Sequence, residues 1–195
     1  MMPLSPEDLV PLEEYEAERE ERRRRMIQLR ARRRVTLGDG LSLVFENRET
    51  VLHQLHELIR AERLTDPEAI AREVEIYNGL LPPAGGLAAT LFIELRDPAQ
   101  MQEDLARFRG LAAGDQLWLD LGGERRVAAR FDAAEDAGRK PASVYYLRFP
   151  LEDADRALLA DENREAHLES THSALQARAA LAPETRRELI QDLSV

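Results

Sequence analysis

The densest run of chemically capable side chains is Glu46-Asn47-Arg48-Glu49-Thr50, which continues into His53, His56, Glu57, Arg60 and Glu62. Three- and four-residue spacing puts Glu49, His53, His56 and Arg60 on one face of a helix, with Glu57 beside them. Neutral imidazoles and carboxylates one turn apart can ligate zinc, iron or manganese. The dedicated spacings are missing: the chain has no His-Glu-x-x-His and no paired Glu with Glu-x-x-His as in di-iron bundles. His53 and His56 are therefore weak ligand candidates, expected to be solvated on the polar face of an amphipathic helix. Asn47 and Arg48 pose a second choice. A helix start plus one guanidinium can cradle an anion; the ordinary alternative is an N-cap followed by a surface charge.

Glu94 stands apart, set in the apolar run Leu91-Phe92-Ile93-Glu94-Leu95. Alternation puts Leu91, Ile93 and Leu95 on one face of a strand and Phe92 and Glu94 on the other. If that face is covered, Glu94 needs an arginine or a raised pKa; at an open edge, the expected case, it needs neither. Gly38-Asp39-Gly40, Gly85-Gly86 and Gly122-Gly123 form neither a phosphate loop nor a dinucleotide fingerprint, and read as turns. The chain has no cysteine, which removes disulfides, thiolate catalysis and cysteine-ligated zinc or iron–sulfur clusters held by this chain alone. No nucleophile-elbow pattern supports a serine triad. His167 and His172 lie near the C-terminus, in or beside the last strand, with nothing nearby to suggest a site. No cofactor is expected.

The elements that must position these residues follow from pattern. Leu12 to about Arg33 is free of glycine and proline, so a long helix is predicted. Its stripe of Leu12, Tyr15, Arg19, Arg22, Met26 and Leu29 is apolar at the ends and polar between. Such a helix lies across the body, projects from it, or pairs with another chain, which leaves a homo-oligomer open. Val35–Leu37 and Leu41–Phe45 read as a hairpin. Asn47 caps a helix that buries Val51, Leu52, Leu55, Leu58 and Ile59, and Asp66-Pro67 starts another that Asn78-Gly79 stops. Leu87 to Leu95 is a central strand, and Asp97-Pro98 opens a helix ending near Gly110. Gln116–Leu121 and Arg125–Phe131 make a second hairpin, followed by a polar loop over 132–141. Val144–Phe149 is a strand, Leu151–Ala160 a helix, Arg164–Thr171 a last strand and Pro183–Leu193 a terminal helix. Helices and antiparallel hairpins mix without a βαβ rhythm. The fold class is α+β: an N-terminal helical extension over 1–34, then a single domain over 35–195.

Charge narrows the partners. The net charge of -10 argues against general nucleic-acid binding. Residues 1–34 hold eight acids and nine arginines, leaving 29 acids against 18 bases in the body. Within the long helix the acids precede the arginines, which complements the helix dipole. Glu18–Arg22, Glu20–Arg24 and Glu21–Arg25 are i,i+4 pairs contributing about 0.2–0.5 kcal/mol each. A solvated, ion-paired helix is the ordinary reading. The functional one is a docking surface for an acidic protein through Arg22, Arg23, Arg24, Arg25 and Arg30. No aromatics are interleaved for base stacking, so nucleic acid is not expected. No apolar run approaches the ~18–20 residues of a membrane span, and the acidic start is unlike a secretory signal. A cytoplasmic protein is expected.

Several segments carry a resemblance: Phe45-Glu46-Asn47-Arg48-Glu49-Thr50-Val51 with Gln54, Glu57–Arg63, Tyr77-Asn78-Gly79-Leu80-Leu81-Pro82, Ala89–Glu94 and Val144–Pro150. Together they resemble an uncharacterised bacterial domain-of-unknown-function family over about residues 4–193. Genes of that family often stand beside those for a rubrerythrin-like di-iron protein and a cysteine-rich iron–sulfur oxidoreductase. The resemblance implies a setting in oxidative-stress or electron-transfer metabolism, with a redox protein as partner. It also marks Glu46, Asn47, Arg48, Gln54, Glu57, Arg60, Glu62, Tyr77, Asn78 and Glu94 as a shared site or a buried polar network. Two places depart from the family pattern. His53 and His56 stand where an aromatic residue and a glutamine are expected, and Ser173 and Leu175 replace the proline and tyrosine after His172. The expectation is a non-catalytic cytoplasmic accessory protein that binds a redox partner. The alternative is a small-molecule or metal-binding enzyme or sensor built on Glu46, Asn47, Glu57 and Glu94.

Overall fold

An asparagine and an aspartate set the starts of two helices in the computed structural model, which describes residues 2–94, 97–132 and 142–194. Asn47 opens α2 (Arg48–Glu62) with a reciprocal cap: its side chain accepts from the Thr50 amide while Thr50 Oγ1 accepts from the Asn47 amide, both at 2.9 Å. Asp66 caps α3 (Pro67–Asn78) through the amides of Glu68 and Ala69. Upstream, α1 spans Leu12–Arg32 and turns only Tyr15, Met26 and Leu29 fully inward. β1 (Arg34–Leu37) and β2 (Leu41–Glu46) form the predicted hairpin, and Gly38 supplies its left-handed residue at φ +51°.

The remaining elements are β3 (Leu87–Ile93), α4 (Met101–Arg107), β4 (Leu117–Leu121), β5 (Arg125–Ala128), β6 (Arg130–Phe131), β7 (Val144–Phe149), α5 (Asp153–Ala160), β8 (Ala166–His172), β9 (Leu175–Ala180) and α6 (Pro183–Leu193). They build two antiparallel sheets, ordered β1-β2-β3-β7-β6 and β5-β4-β8-β9. The α+β class holds.

Alternation decides which face of each sheet is dry. Leu43, Leu91 and Leu147 on the first sheet and Leu117, Leu119 and Leu168 on the second share one core, joined by Leu159 and Leu189 of the last two helices. Each such leucine contributes about 1.5–3 kcal/mol by leaving water. β2 is buried on both faces; at its end Thr50 and Gln54 of α2 cover Glu46, and at its start Ser42 is held by Arg34 and Glu94. A smaller apolar cluster ties Leu4 to Val51, Leu55 and Ile59 of α2 and Val74 of α3.

Three predicted elements differ. The run Arg125–Phe131, predicted as one strand, divides at Ala129. Its first half pairs with β4, its second with β7 in the other sheet, and the Ala129 amide still donates to Leu117 O at 2.8 Å. Chain that turns a corner between packed sheets must change partner there. β9 has no counterpart in the sequence reading, because Leu175-Gln176-Ala177-Arg178-Ala179-Ala180 is made largely of good helix formers; its edge pairing to β8 overrides propensity. The helix predicted from Asp97 to Gly110 is shorter, a 3-10 turn over Pro98–Gln100 followed by α4. The predicted polar run 133–141 and the facing of Leu95 lie outside the described residues. Among the described residues no helix is long and apolar enough to cross a membrane.

Candidate functional site

The N-terminal arm lies on the polar face of α2 and takes its histidines largely out of water. His56 is only 5% exposed, its ring stacked on Tyr15 with centroids 4.7 Å apart and planes 2° from parallel. The Val10 amide donates to His56 Nε2 at 3.2 Å, so Nε2 carries no proton, and Nδ1 donates to Leu52 O at 3.0 Å. His53 Nδ1 lies 3.3 Å from the Tyr15 hydroxyl. That hydroxyl donates to Glu57 at 2.9 Å, and Arg19 grips the same carboxylate with two bonds of 2.9 Å. The solvated histidines expected from the helix pattern are thus covered by α1, an arrangement no single-helix pattern can contain.

Electrostatics follows from this covering. Burial pushes both imidazoles below their ordinary value. Arg19, foremost, and then Tyr15 hold the Glu57 carboxyl down to about 2. Burial, then the Glu57 hydrogen bond, pushes the Tyr15 hydroxyl up.

Other singled-out residues fasten the same arm. Arg48 pairs with Asp8 at 2.6 Å and donates to Met2 O; it is occupied by an acid of its own chain, and Asn47 acts as the cap. Asn78 makes a two-way clamp on the Leu4 backbone, accepting at 2.7 Å and donating at 2.9 Å. Arg60 reaches Glu16 at 3.7 Å and Glu57 at 3.5 Å, and Arg25 reaches Glu49 at 2.9 Å. Tyr77 is half-buried beside the small apolar cluster, and burial raises its hydroxyl pKa. Glu62 is exposed at the end of α2.

Glu46 belongs to a different place. Its carboxylate, in a residue 3% exposed, accepts from Thr90 at 2.6 Å, Thr50 at 2.5 Å and Gln54 at 3.0 Å. These bonds bind β2, β3 and the start of α2 into one network. Glu94 is in a third place. It lies exposed just past the end of β3, the middle strand of its sheet rather than an open edge, and pairs with Arg34 at 3.0 Å and with Ser42. It faces a cleft of about 540 Å³ shared with Asp39, Asp104, Arg107, Phe108 and Leu175. The ten residues marked by the resemblance therefore do not converge: Arg48, Glu57, Arg60 and Asn78 hold the arm, Asn47 caps α2, Glu46 with Gln54 locks the sheet, and Glu94 sits at the cleft.

The arginines of α1 divide likewise. Arg22 is half-buried, paired with Glu18 at 2.6 Å. Arg24 donates to Glu20 O rather than to its carboxylate. Arg30 is half-buried, whereas Arg23, Arg24 and Arg25 are exposed.

Sequence reasoning missed Arg33, which is wholly buried. Its guanidinium donates to Phe45 O at 2.8 Å, Glu46 O at 3.3 Å and Glu188 at 3.2 Å, and to Asp192. Burial pushes the Asp192 carboxyl up against the opposing pull of Arg33. The signal was available: the inward stripe Met26, Leu29 reaches Arg33 at the next four-residue step. Arg186 was also missed. It caps the end of α5 by donating to the carbonyls of Leu158, Leu159 and Asp161.

Between the arm, α2 and α3 lies an apolar groove of about 390 Å³, lined by Leu9, Leu12, Tyr15, Ile59 and Ile70 among others. Among the described residues no three acidic or histidine side chains are grouped as a metal site requires.

The chain belongs to the family described as protein of unknown function (DUF3501), whose profile matches residues 3–193. It is similar to a solved structure from Burkholderia pseudomallei K96243, titled a novel protein of unknown function. That protein is 32% identical, with 98% of this chain and 100% of that one covered and a TM-score of 0.90. No curated protein matches.

Proposed function

We propose that the protein is a non-catalytic cytoplasmic accessory protein that docks a redox protein. The observation supporting this reading is how α1 and α2 divide their charges. Glu49, Glu57 and both imidazoles of α2 are engaged by the arm and α1, while α1 turns Arg23 and Arg24 into solvent and leaves Arg25, paired with Glu49, largely exposed. Exposed guanidiniums steer an acidic partner and make the encounter sensitive to salt. The partner class rests on the family resemblance: a rubrerythrin-like di-iron protein or a cysteine-rich iron–sulfur oxidoreductase, in oxidative-stress or electron-transfer metabolism. The alternative, a small-molecule or metal-binding enzyme or sensor, calls for Glu46, Asn47, Glu57 and Glu94 to act together, and they stand in three places.

The test is pull-down of each neighbouring redox protein by the purified chain at about 20 mM and 300 mM salt, a range over which screening changes several-fold. A complex at low salt that weakens at high salt, and weakens again with Arg23→Glu/Arg25→Glu, supports the reading. No complex with either protein overturns it.

A further inference from the structure

The side of α1 turned away from the body carries Glu13, Ala17, Glu20, Arg24, Ile27 and Ala31, spaced four, three, four, three and four, the rhythm of a helix that pairs with another helix. All six are exposed, and Ile27, at 57%, is one of the few large apolar side chains left in water. The inward stripe of Tyr15, Met26 and Leu29 occupies the opposite side, so the body does not use this face.

Its order is complementary to its own reversal. Glu20 and Arg24 are equidistant from Arg22, as are Ala17 and Ile27. Two copies laid antiparallel put Glu20 against the partner copy's arginine and give Ile27 the space left by a small alanine. Laid parallel, they put glutamate on glutamate and arginine on arginine, which is repulsive. The flanks agree, since acids fill the first half of the helix and arginines the second.

We infer that α1 is a self-pairing helix through which two copies of this chain associate antiparallel about a two-fold axis near Arg22. A two-fold contact is self-complementary by construction, which this charge order satisfies. The seam takes Arg24 from the arginine cluster and leaves Arg23 and Arg25 on its flanks; it is argued from the outer face of α1 and read by self-association, so it stands or falls apart from the redox-partner reading. A contact of one helix per copy is at the small end of stable interfaces; association is expected at micromolar concentration.

The absence of native cysteine makes the test clean. Under mild oxidation Ala17→Cys/Ile27→Cys is expected to give a covalent dimer whose peptide map joins position 17 to position 27. Within one helix those positions are about 15 Å apart, beyond disulfide reach, so the bridge must be between copies. Either single cysteine variant is expected to cross-link at least tenfold less. In sedimentation equilibrium the unmodified chain should rise from 22.1 kDa toward twice that mass as concentration increases. Arg24→Glu should abolish the rise and Glu20→Arg/Arg24→Glu restore it, with unchanged circular dichroism in each. A monomer at every concentration, a double variant that does not cross-link, or an Ile27→Cys single variant that cross-links equally well overturns the inference.

Discussion

The amide of Val10 donates to Nε2 of His56, a residue 46 positions further along the chain, at 3.2 Å. The bond exists only while that nitrogen is unprotonated. Burial holds His56 below its ordinary value of 6.5, so the unfolded chain takes up the proton more readily than the folded one. The contribution is therefore complete above about pH 6.5 and is lost as pH falls below it toward the folded value. Protection of the Val10 amide in hydrogen exchange, corrected for intrinsic rate, is expected to fall between pH 7.5 and 5. His56→Gln keeps an acceptor without a titrating group and should flatten that fall. His53, also held low by burial, accounts for the part that persists.

Glu57 works in a more acidic window. Its carboxyl is held at about 2 against a usual 4.5, so its stabilising effect is present above pH 4.5 and lost as pH falls toward 2. Glu57→Gln is expected to cost about 1–2 kcal/mol at pH 7 by weakening a charge-assisted fork to Arg19. Urea denaturation should show the variant and the parent converging as pH approaches 2.

Arg33→Met tests the buried cation. Removing it leaves Asp192 buried without its counter-charge, an expected loss of about 3–5 kcal/mol. Arg33→Met/Asp192→Leu, which deletes both charges, is expected to recover at least half of that. Chemical denaturation of the two variants side by side reads the difference.

Asn78→Ala removes both hydrogen bonds to the Leu4 backbone. At about 0.5–1.5 kcal/mol each, their loss should free the first residues locally without unfolding the sheets. Cleavage after Glu7 by a glutamate-specific protease is expected to quicken at least about fivefold, following the population of the opened arm.

Much of the fold was legible because its signals are local. Proline and asparagine mark the starts of α2 and α3, and alternation marks β2, β3 and β7. Legibility failed where the outcome depends on what lies opposite. His53 and His56 occupy a textually polar face that a distant helix then covers. Arg33 is charged but buried because two carboxylates of α6 come to it. The residues marked by family resemblance were identified without their purpose: Arg48, Glu57, Arg60 and Asn78 hold the arm, while Glu46 and Gln54 tie helix to sheet and Glu94 lies at a separate cleft. β9 is the clearest case of tertiary pairing overruling composition.

Ala129 has the widest reach. The strand segment before it belongs to one sheet and the segment after it to the other, so a single peptide step stitches the two layers together. Pulling either layer away must tear a ladder in its neighbour, and the body is thereby bound to melt as one unit while the clasped arm can come loose ahead of it.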